Sequence, residues 1–274
     1  MQPRSPAALT AYLREHGSSA APELDRLCAQ IHAHTTLLYW HTELPAARAE
    51  AGRAGRPILS LRLLGRLDQE LSCANSRFFR RLLYPEPRIN QLLRDHFVLH
   101  WQSLRPVPRV TIDLGDGRRL ERTITGNSVH VVLDPHGRPV DALPGLLAPD
   151  VFRALLVRAH GMASRDRAGL ALAHERAARQ PIAWPEPPPS RAVAASRIAP
   201  TKHVVEAPLL RALAYDVDAD TRQNLELHAR IHRAFAAGAA WTADELVAWI
   251  YRDLFLMPPD DPALGLDLPE PFVA

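Results

Sequence analysis

Residues 56–79 read RPILSLRLLGRLDQELSCANSRFF, and this stretch decides how the rest of the chain is interpreted. Its first half, Ile58–Leu64, is almost continuously apolar, which is typical of a strand buried on both faces of a sheet. Cys73 follows a short polar segment and stands at the start of an amphipathic helix that runs through Phe78 and Phe79. We therefore expect a buried strand, a loop, and a helix whose first turn carries a cysteine.

Further core strands are predicted downstream of this stretch. Three segments have the apolar character of buried strands, and a helix with Phe152, Leu155 and Leu156 follows them. The three segments are residues 97–101, 128–133 and 139–143.

A β-hairpin is predicted between the core strands at residues 97–101 and 128–133. Residues 110–114 and 119–124 alternate in character on either side of Gly115-Asp116-Gly117, which has the residue types of a tight turn. The order strand, helix, strand, strand, strand, helix then predicts an α/β domain over residues 56–160, with the hairpin at 110–124 inserted.

Helical segments are predicted on both sides of this domain. Residues 1–55 form an N-terminal helical extension, in which the second helix runs from Pro22 to Leu38. Residues 161–200 contain a helix and a Pro/Ala-rich linker, and residues 201–274 form a C-terminal helical appendage and tail. The appendage is expected to pack on the domain through its aromatic residues, which are Trp241, Trp249, Tyr251 and Phe255.

Composition excludes several functional classes. A hydrophobic fraction of 47% with 23% charged residues is that of a folded globular protein. The net charge is only +3, and the arginines are scattered without interleaved aromatic residues, which argues against nucleic-acid binding; the pair Arg80-Arg81 is expected on a solvated face.

No apolar segment suggests a signal peptide or a membrane span, so we expect a cytoplasmic protein without membrane contact. Cys28 and Cys73 fit a reducing compartment, with Cys28 as a small buried hydrophobe.

Several motifs resemble those of bacterial thioredoxin-like domains. Trp40, the alanine-rich helix after it and the segment Gly55-Arg56-Pro57-Ile58-Leu59 are similar to the entry of that family, with Arg56 in place of the usual lysine. The segment Val131-Val132-Leu133-Asp134-Pro135-His136-Gly137 is similar to its strand and Asp-Pro-x-Gly turn. Cys73 stands where the family carries the first cysteine of its Cys-x-x-Cys motif. The resemblance covers a little over a third of the chain and implies an α/β thioredoxin-like fold with thiol chemistry at Cys73.

Two departures from the family pattern limit that chemistry. Ser76 occupies the position of the second cysteine, and serine cannot resolve a mixed disulfide, so dithiol cycling from this motif is excluded. A monothiol mechanism would need an external thiol such as glutathione. The family's cis-proline position is filled by Gly126-Asn127-Ser128-Val129, where a cis bond would cost roughly 3 kcal/mol, so this loop is expected to be trans.

The candidate catalytic residues are Cys73 and Ser76. A helix N-terminus stabilises a thiolate, and Arg77 favours it as well, whereas Asp68 and Glu70 oppose it. Cys73 is therefore either a reactive thiol or an inert residue inherited from an oxidoreductase ancestor. Candidate binding residues around it are Asn75, Arg77, Asn127, Ser128 and His130.

Each of these binding residues has an ordinary structural alternative. Asn127 and Ser128 would donate hydrogen bonds to a ligand held against Cys73, or they form a simple turn. His130 would act as a general base for Cys73, or its side chain faces the other side of the sheet.

A metal site is the third possibility that the sequence raises. His228 and His232 are four residues apart on a predicted helix, so they share one face. No third ligand is visible nearby in the sequence, and no metal is assigned to them.

Two functions follow from the sequence. The first is a monothiol thiol–disulfide oxidoreductase or redox sensor that uses Cys73, with a protein or a low-molecular-weight thiol as its partner and no resident cofactor. The alternative is a non-catalytic thioredoxin-fold interaction module that presents the hairpin and the C-terminal helices to a protein. Enzymatic turnover stays open between them.

Overall fold

The computed structural model describes residues 4–19, 21–123, 126–180 and 214–265, and within them the strands form two separate sheets. The strands are β1 (Ile58–Leu64), β2 (Val98–Arg105), β3 (Arg109–Asp113), β4 (Arg119–Thr123), β5 (Ser128–Leu133) and β6 (Pro139–Pro144). A four-stranded mixed sheet has the order β2-β1-β5-β6, and β3 pairs with β4 in a two-stranded sheet. β1 and β2 are parallel, whereas β5 is antiparallel to both of its neighbours.

Helices precede, connect and follow these strands, so the fold is mixed α/β. They are α1 (Pro6–His16), α2 (Pro22–Cys28), α3 (Leu44–Ala54), α4 (Ala74–Phe78), α5 (Pro87–His96), α6 (Pro149–Met162), α7 (Arg167–Arg179), α8 (Ala214–Ala236) and α9 (Ala243–Trp249). α4 continues into a π-helical turn, Phe79–Leu83, and α9 continues into another, Ile250–Leu254.

The predicted core strands are confirmed where their apolar runs are longest. Every residue of β1 and of β5 is buried, as expected for strands with a neighbour on each side and cover on both faces. The hairpin is also confirmed, with Asp113 paired to Arg119 at the end next to the turn. β2 continues beyond the predicted residue 101, to Arg105.

The predicted second helix is wrong in length. α2 ends at Cys28, because Ala29 adopts a left-handed conformation with φ of 50°. The chain then makes only a 3-10 turn, Ala33–Thr35, before it reaches the sheet. Most of the Pro/Ala-rich linker, residues 181–200, lies outside the described residues.

The C-terminal helices share the main hydrophobic core with the sheet. Phe235 of α8 and Leu246 of α9 belong to the same buried cluster as the strands of the four-stranded sheet. The expected packing of the appendage on the domain is therefore confirmed, and Tyr251 is fully buried there. A second, smaller cluster holds Leu9, Leu24 and Cys28 together in the N-terminal part. Among the described residues, no helix is both long and apolar enough to cross a membrane.

Candidate functional site

Cys73 lies directly before α4, as the sequence predicts, and is the N-cap residue of that helix. Its backbone N–H donates to the carbonyl oxygen of Leu64 over 3.3 Å, which ties the helix start to the end of β1. The loop between Leu64 and Cys73 therefore returns to the strand that it leaves. Cys28, the other cysteine, lies in the N-terminal cluster, and both thiols are free.

The Cys73 side chain is sealed inside the protein. It is 0% exposed, and its burial raises the pKa of the thiol, although hydrogen bonds from Ser76 act in the opposite direction. Gly126 covers it so closely that a Cβ atom at this glycine would lie 2.6 Å from the Cβ of Cys73. Burial therefore acts against the thiolate that a helix N-terminus by itself would favour.

Ser76 is part of a buried chain of hydroxyl groups beside Cys73. Its hydroxyl donates to the carbonyl oxygen of Cys73 (2.8 Å) and lies 2.7 Å from the hydroxyl of Ser72. The second position of the motif is thus occupied by a residue that satisfies backbone and side-chain hydrogen bonds inside the loop. Ser76 therefore stabilises the loop before α4 through these hydrogen bonds.

The candidate binding residues Asn127 and Ser128 do come together with the Cys73 segment. The side-chain amide of Asn75 donates to the Oδ1 of Asn127 (2.9 Å) and lies 3.3 Å from the Oγ of Ser128. Asn127 Oδ1 also accepts from the backbone N–H of Ser128. On the other side, the hydroxyl of Tyr251 donates to the carbonyl oxygen of Asn127 over 2.7 Å. These polar groups are therefore engaged with one another. The loop contains no cis peptide bond, as expected.

The two arginines after Cys73 have different environments. Arg77 is half-buried and its guanidinium donates to the Oγ1 of Thr123 over 3.4 Å, at the base of the hairpin. Arg80, expected on a solvated face, is completely buried. Its NH1 donates to the carbonyl of Leu67 (3.2 Å) and to the hydroxyl of Ser72 (2.9 Å).

Arg80 is the residue near Cys73 that sequence reasoning missed. Its Nε and NH2 atoms have no hydrogen-bond partner among the described residues, and burial lowers its pKa to about 10. The sequence does not distinguish Arg80 from its neighbour Arg81, which is exposed and pairs with Glu70 on the surface. Only the turn of the helix decides which arginine points inward.

His130 is buried on β5 and does not serve Cys73. Its Nε2 lies 2.8 Å from the hydroxyl of Tyr84, and its ring packs against those of Phe79 and Phe152. Burial lowers its pKa to about 3. A base that weak, hydrogen-bonded to a tyrosine, is not the general base that the sequence suggested.

His228 and His232 belong to a second polar cluster, at the β6 edge of the sheet. His228 Nε2 lies 2.9 Å from the Oδ1 of Asp141, and His232 Nδ1 lies 2.7 Å from the Nδ1 of His174. All four side chains are buried. The sequence revealed the two histidines of α8 through their spacing, but Asp141 and His174 are far from them along the chain and carried no signal.

Comparison with known proteins adds no family assignment. No protein-family model matches the chain. No curated protein and no solved structure matches it either. The geometry of the chain's own residues is therefore the basis for assigning a function.

Proposed function

We propose that the chain is a thioredoxin-like protein that works as a non-catalytic interaction module, in which Cys73 does not exchange disulfides. The order of elements supports the fold assignment: parallel β1 and β2 are joined through α4 and α5, and antiparallel β5 and β6 are followed by α6. This is the order implied by the resemblance over residues 56–160.

The burial of Cys73 is the observation that carries the functional part of the proposal. Thiol–disulfide exchange requires a thiolate that can approach the sulfur of a disulfide. Cys73 has no exposed surface, and burial disfavours its thiolate. The backbone of Gly126 lies close against the Cβ of Cys73, so this side of the residue is tightly packed.

The C-terminal helices reinforce this closure. Tyr251, in the π-helical turn after α9, is fully buried and holds the carbonyl oxygen of Asn127. Asn127 and Ser128 are also contacted by Asn75, two residues after Cys73, so Tyr251 and α4 hold this segment from two sides. The region around the cysteine is thus built as a packing contact between the sheet and the C-terminal helices.

The hairpin of β3 and β4 offers the interaction element. These two strands pair with each other and with no other described strand, so each has an outer edge whose backbone groups are available. Thr111 and Glu121 are exposed on one face, whereas Val110 and Ile112 are half-buried on the other. An exposed strand edge binds an extended peptide by strand addition, which is the mode we assign to a protein partner here.

Thiol reactivity tests the non-catalytic assignment, and Cys28 is the matched control. Cys28 is also buried, and burial raises its pKa to about 12. In the variants Cys28→Ala and Cys73→Ala, the remaining thiol is expected to react with an aromatic disulfide reagent only as fast as the protein opens or unfolds. Glutathione-linked disulfide reduction should not exceed the uncatalysed rate. Rapid labelling of Cys73 alone, with a midpoint below the ordinary pKa of ~8.5, would overturn the proposal in favour of a monothiol oxidoreductase.

The role of the hairpin is tested by replacing residues 109–123 with a short Gly/Ser turn. The thermal midpoint is expected to change little, because an isolated two-stranded sheet adds little stability. Proteins retained by the full chain from an extract of its native cells should be lost with this variant and kept with Cys73→Ser. Retention of the same proteins by the variant without the hairpin contradicts the assignment of the hairpin as the binding element.

A further inference from the structure

The cluster at the β6 edge gathers four potential metal ligands from three elements. Asp141 comes from β6, His174 from α7, and His228 and His232 from α8. Each side chain is at most 2% exposed. Buried ionisable groups at this density need either a closed hydrogen-bond network or a cation to satisfy them.

We propose that Asp141, His174 and His232 bind a divalent transition-metal ion of the zinc type, with His228 completing or supporting the site. One ligand atom from each of the three residues lies within 4.8 Å of the others. The Nδ1 atoms of His174 and His232 are 2.7 Å apart, and His232 Nδ1 is 3.9 Å from Asp141 Oδ1. Tetrahedral zinc with bonds of about 2.0–2.1 Å separates its ligand atoms by about 3.3 Å, a value that lies between these two distances.

The donor set has the right chemistry for such an ion. Imidazole nitrogens and a carboxylate oxygen are ordinary zinc ligands. An imidazole nitrogen binds such an ion through its electron pair, and the carboxylate of Asp141 supplies a negative charge.

One buried atom in the cluster has no hydrogen-bond partner in the part of the chain that the structure describes. Oδ1 of Asp141 accepts from His228 and from the backbone N–H of Ala142, at 2.9 Å each. Its Oδ2 is buried without any hydrogen-bond partner among the described residues. A cation bound to the carboxylate through Oδ2 would satisfy this oxygen, which the hydrogen bonds of the described residues leave unpaired.

The supporting hydrogen bonds also fit metal coordination at His174. Its Nε2 lies 2.9 Å from the carbonyl oxygen of Val140, so Nε2 carries the proton and Nδ1 presents its electron pair. A ring N–H donated to a backbone carbonyl is the usual support of a metal-binding histidine.

At His232, Arg158 stabilises the form without metal. Its guanidinium donates to His232 Nε2 over 2.7 Å, so in the metal-free protein the proton of His232 is on Nδ1, pointing at His174. Metal binding at His232 Nδ1 moves this proton to Nε2, which then needs an acceptor in place of Arg158. Arg158 is half-buried and can turn toward solvent. The site is therefore one in which a metal ion and Arg158 compete.

This competition makes the proposal testable with a gain as well as a loss of affinity. In Arg158→Gln the side-chain carbonyl can accept from Nε2–H, so metal affinity should rise about tenfold. Asp141→Asn removes the negative ligand, and His174→Asn removes one imidazole, so each should weaken binding at least tenfold. The pair of exposed His96 and half-buried His160, whose rings are 5.2 Å apart, provides the control for adventitious binding.

The experiment uses untagged full-length protein that has been stripped with a chelator. Titration with Co²⁺ should give one equivalent with the visible absorption of tetrahedral cobalt, Zn²⁺ should displace it, and the thermal midpoint should rise with Zn²⁺. His96→Gln/His160→Gln should leave all three results unchanged. No stoichiometric binding by the folded protein would overturn the proposal and leave a hydrogen-bonded network of neutral histidines. Binding that disappears with His96→Gln/His160→Gln, or that Arg158→Gln weakens, would overturn it equally.

Discussion

The pairing of His130 with Tyr84 predicts how the stability of the protein depends on pH. The imidazole of His130 is buried among the rings of Phe79 and Phe152, and Tyr84 is its hydrogen-bond partner at 2.8 Å. Replacing both partners by phenylalanine in His130→Phe/Tyr84→Phe keeps ring-shaped side chains and leaves no polar group unsatisfied. Exchange of both members of a buried hydrogen bond for apolar groups of similar shape is nearly neutral, so stability at pH 7.5 should change little.

The magnitude follows from the pKa of His130. The ordinary value is 6.5, and burial lowers it to about 3 in the folded protein. Above pH 6.5 the imidazole is neutral in both states; below it, only the unfolded chain gains the proton, so stability is lost as pH falls from 6.5 toward 3. At 1.36 kcal/mol per pH unit, this histidine costs about 2 kcal/mol at pH 5 and about 0.8 kcal/mol at pH 6. His100 and His232 have pKa values lowered in the same direction.

Urea unfolding followed by circular dichroism, at pH 7.5, 6 and 5 and constant ionic strength, measures this effect. The free energy of unfolding of His130→Phe/Tyr84→Phe, relative to the unmodified protein, should rise by about 2 kcal/mol between pH 7.5 and pH 5. Taking this difference cancels the contributions of His100 and His232. Tyr84→Phe alone is the matched control, because it keeps the buried histidine and should keep the pH dependence. A difference that is the same at all three pH values would refute the assignment of His130 as a neutral buried group.

Three further predictions concern the surroundings of Cys73. Gly126→Ala should lower the free energy of unfolding by about 2–4 kcal/mol, because the added Cβ meets Cys73 and the residue has φ of +151°. An unchanged denaturant midpoint would contradict the close contact between Gly126 and Cys73. Tyr251→Phe removes the hydrogen bond to Asn127 and should speed labelling of Cys73 about fivefold, as expected when the free energy of local opening falls by about 1 kcal/mol. Labelling at the original rate would show that Tyr251 does not hold this region closed. Arg80→Met should raise stability by about 1–2 kcal/mol at pH 7, because it removes a buried charge that forms no ion pair with a carboxylate among the described residues. Calorimetry showing a lower thermal midpoint would speak against this.

Local pattern was sufficient for most of the secondary structure. The apolar runs at Ile58–Leu64 and Ser128–Leu133 are buried strands with the predicted bounds, because strands with neighbours on both sides have little choice of residue type. The turn chemistry between β3 and β4 placed the hairpin correctly. The helix that begins at Pro22 is shorter than its apolar pattern predicts. It ends at Cys28, because the apolar residues after it also fit a turn that packs against the rest of the fold.

The sequence by itself determined that Cys73 begins a helix after a buried strand, that Ser76 leaves it without a second thiol, and that His228 and His232 share a helix face. Each of these depends on residues only a few positions apart, where backbone geometry sets the distance. Only the tertiary structure decided that Cys73 is fully buried beside Gly126 and that Asp141 and His174 meet the two histidines. The physical reason is that burial and ligand geometry depend on contacts between segments far apart in the chain, and these contacts reverse what the local helix terminus alone would do to the pKa of Cys73.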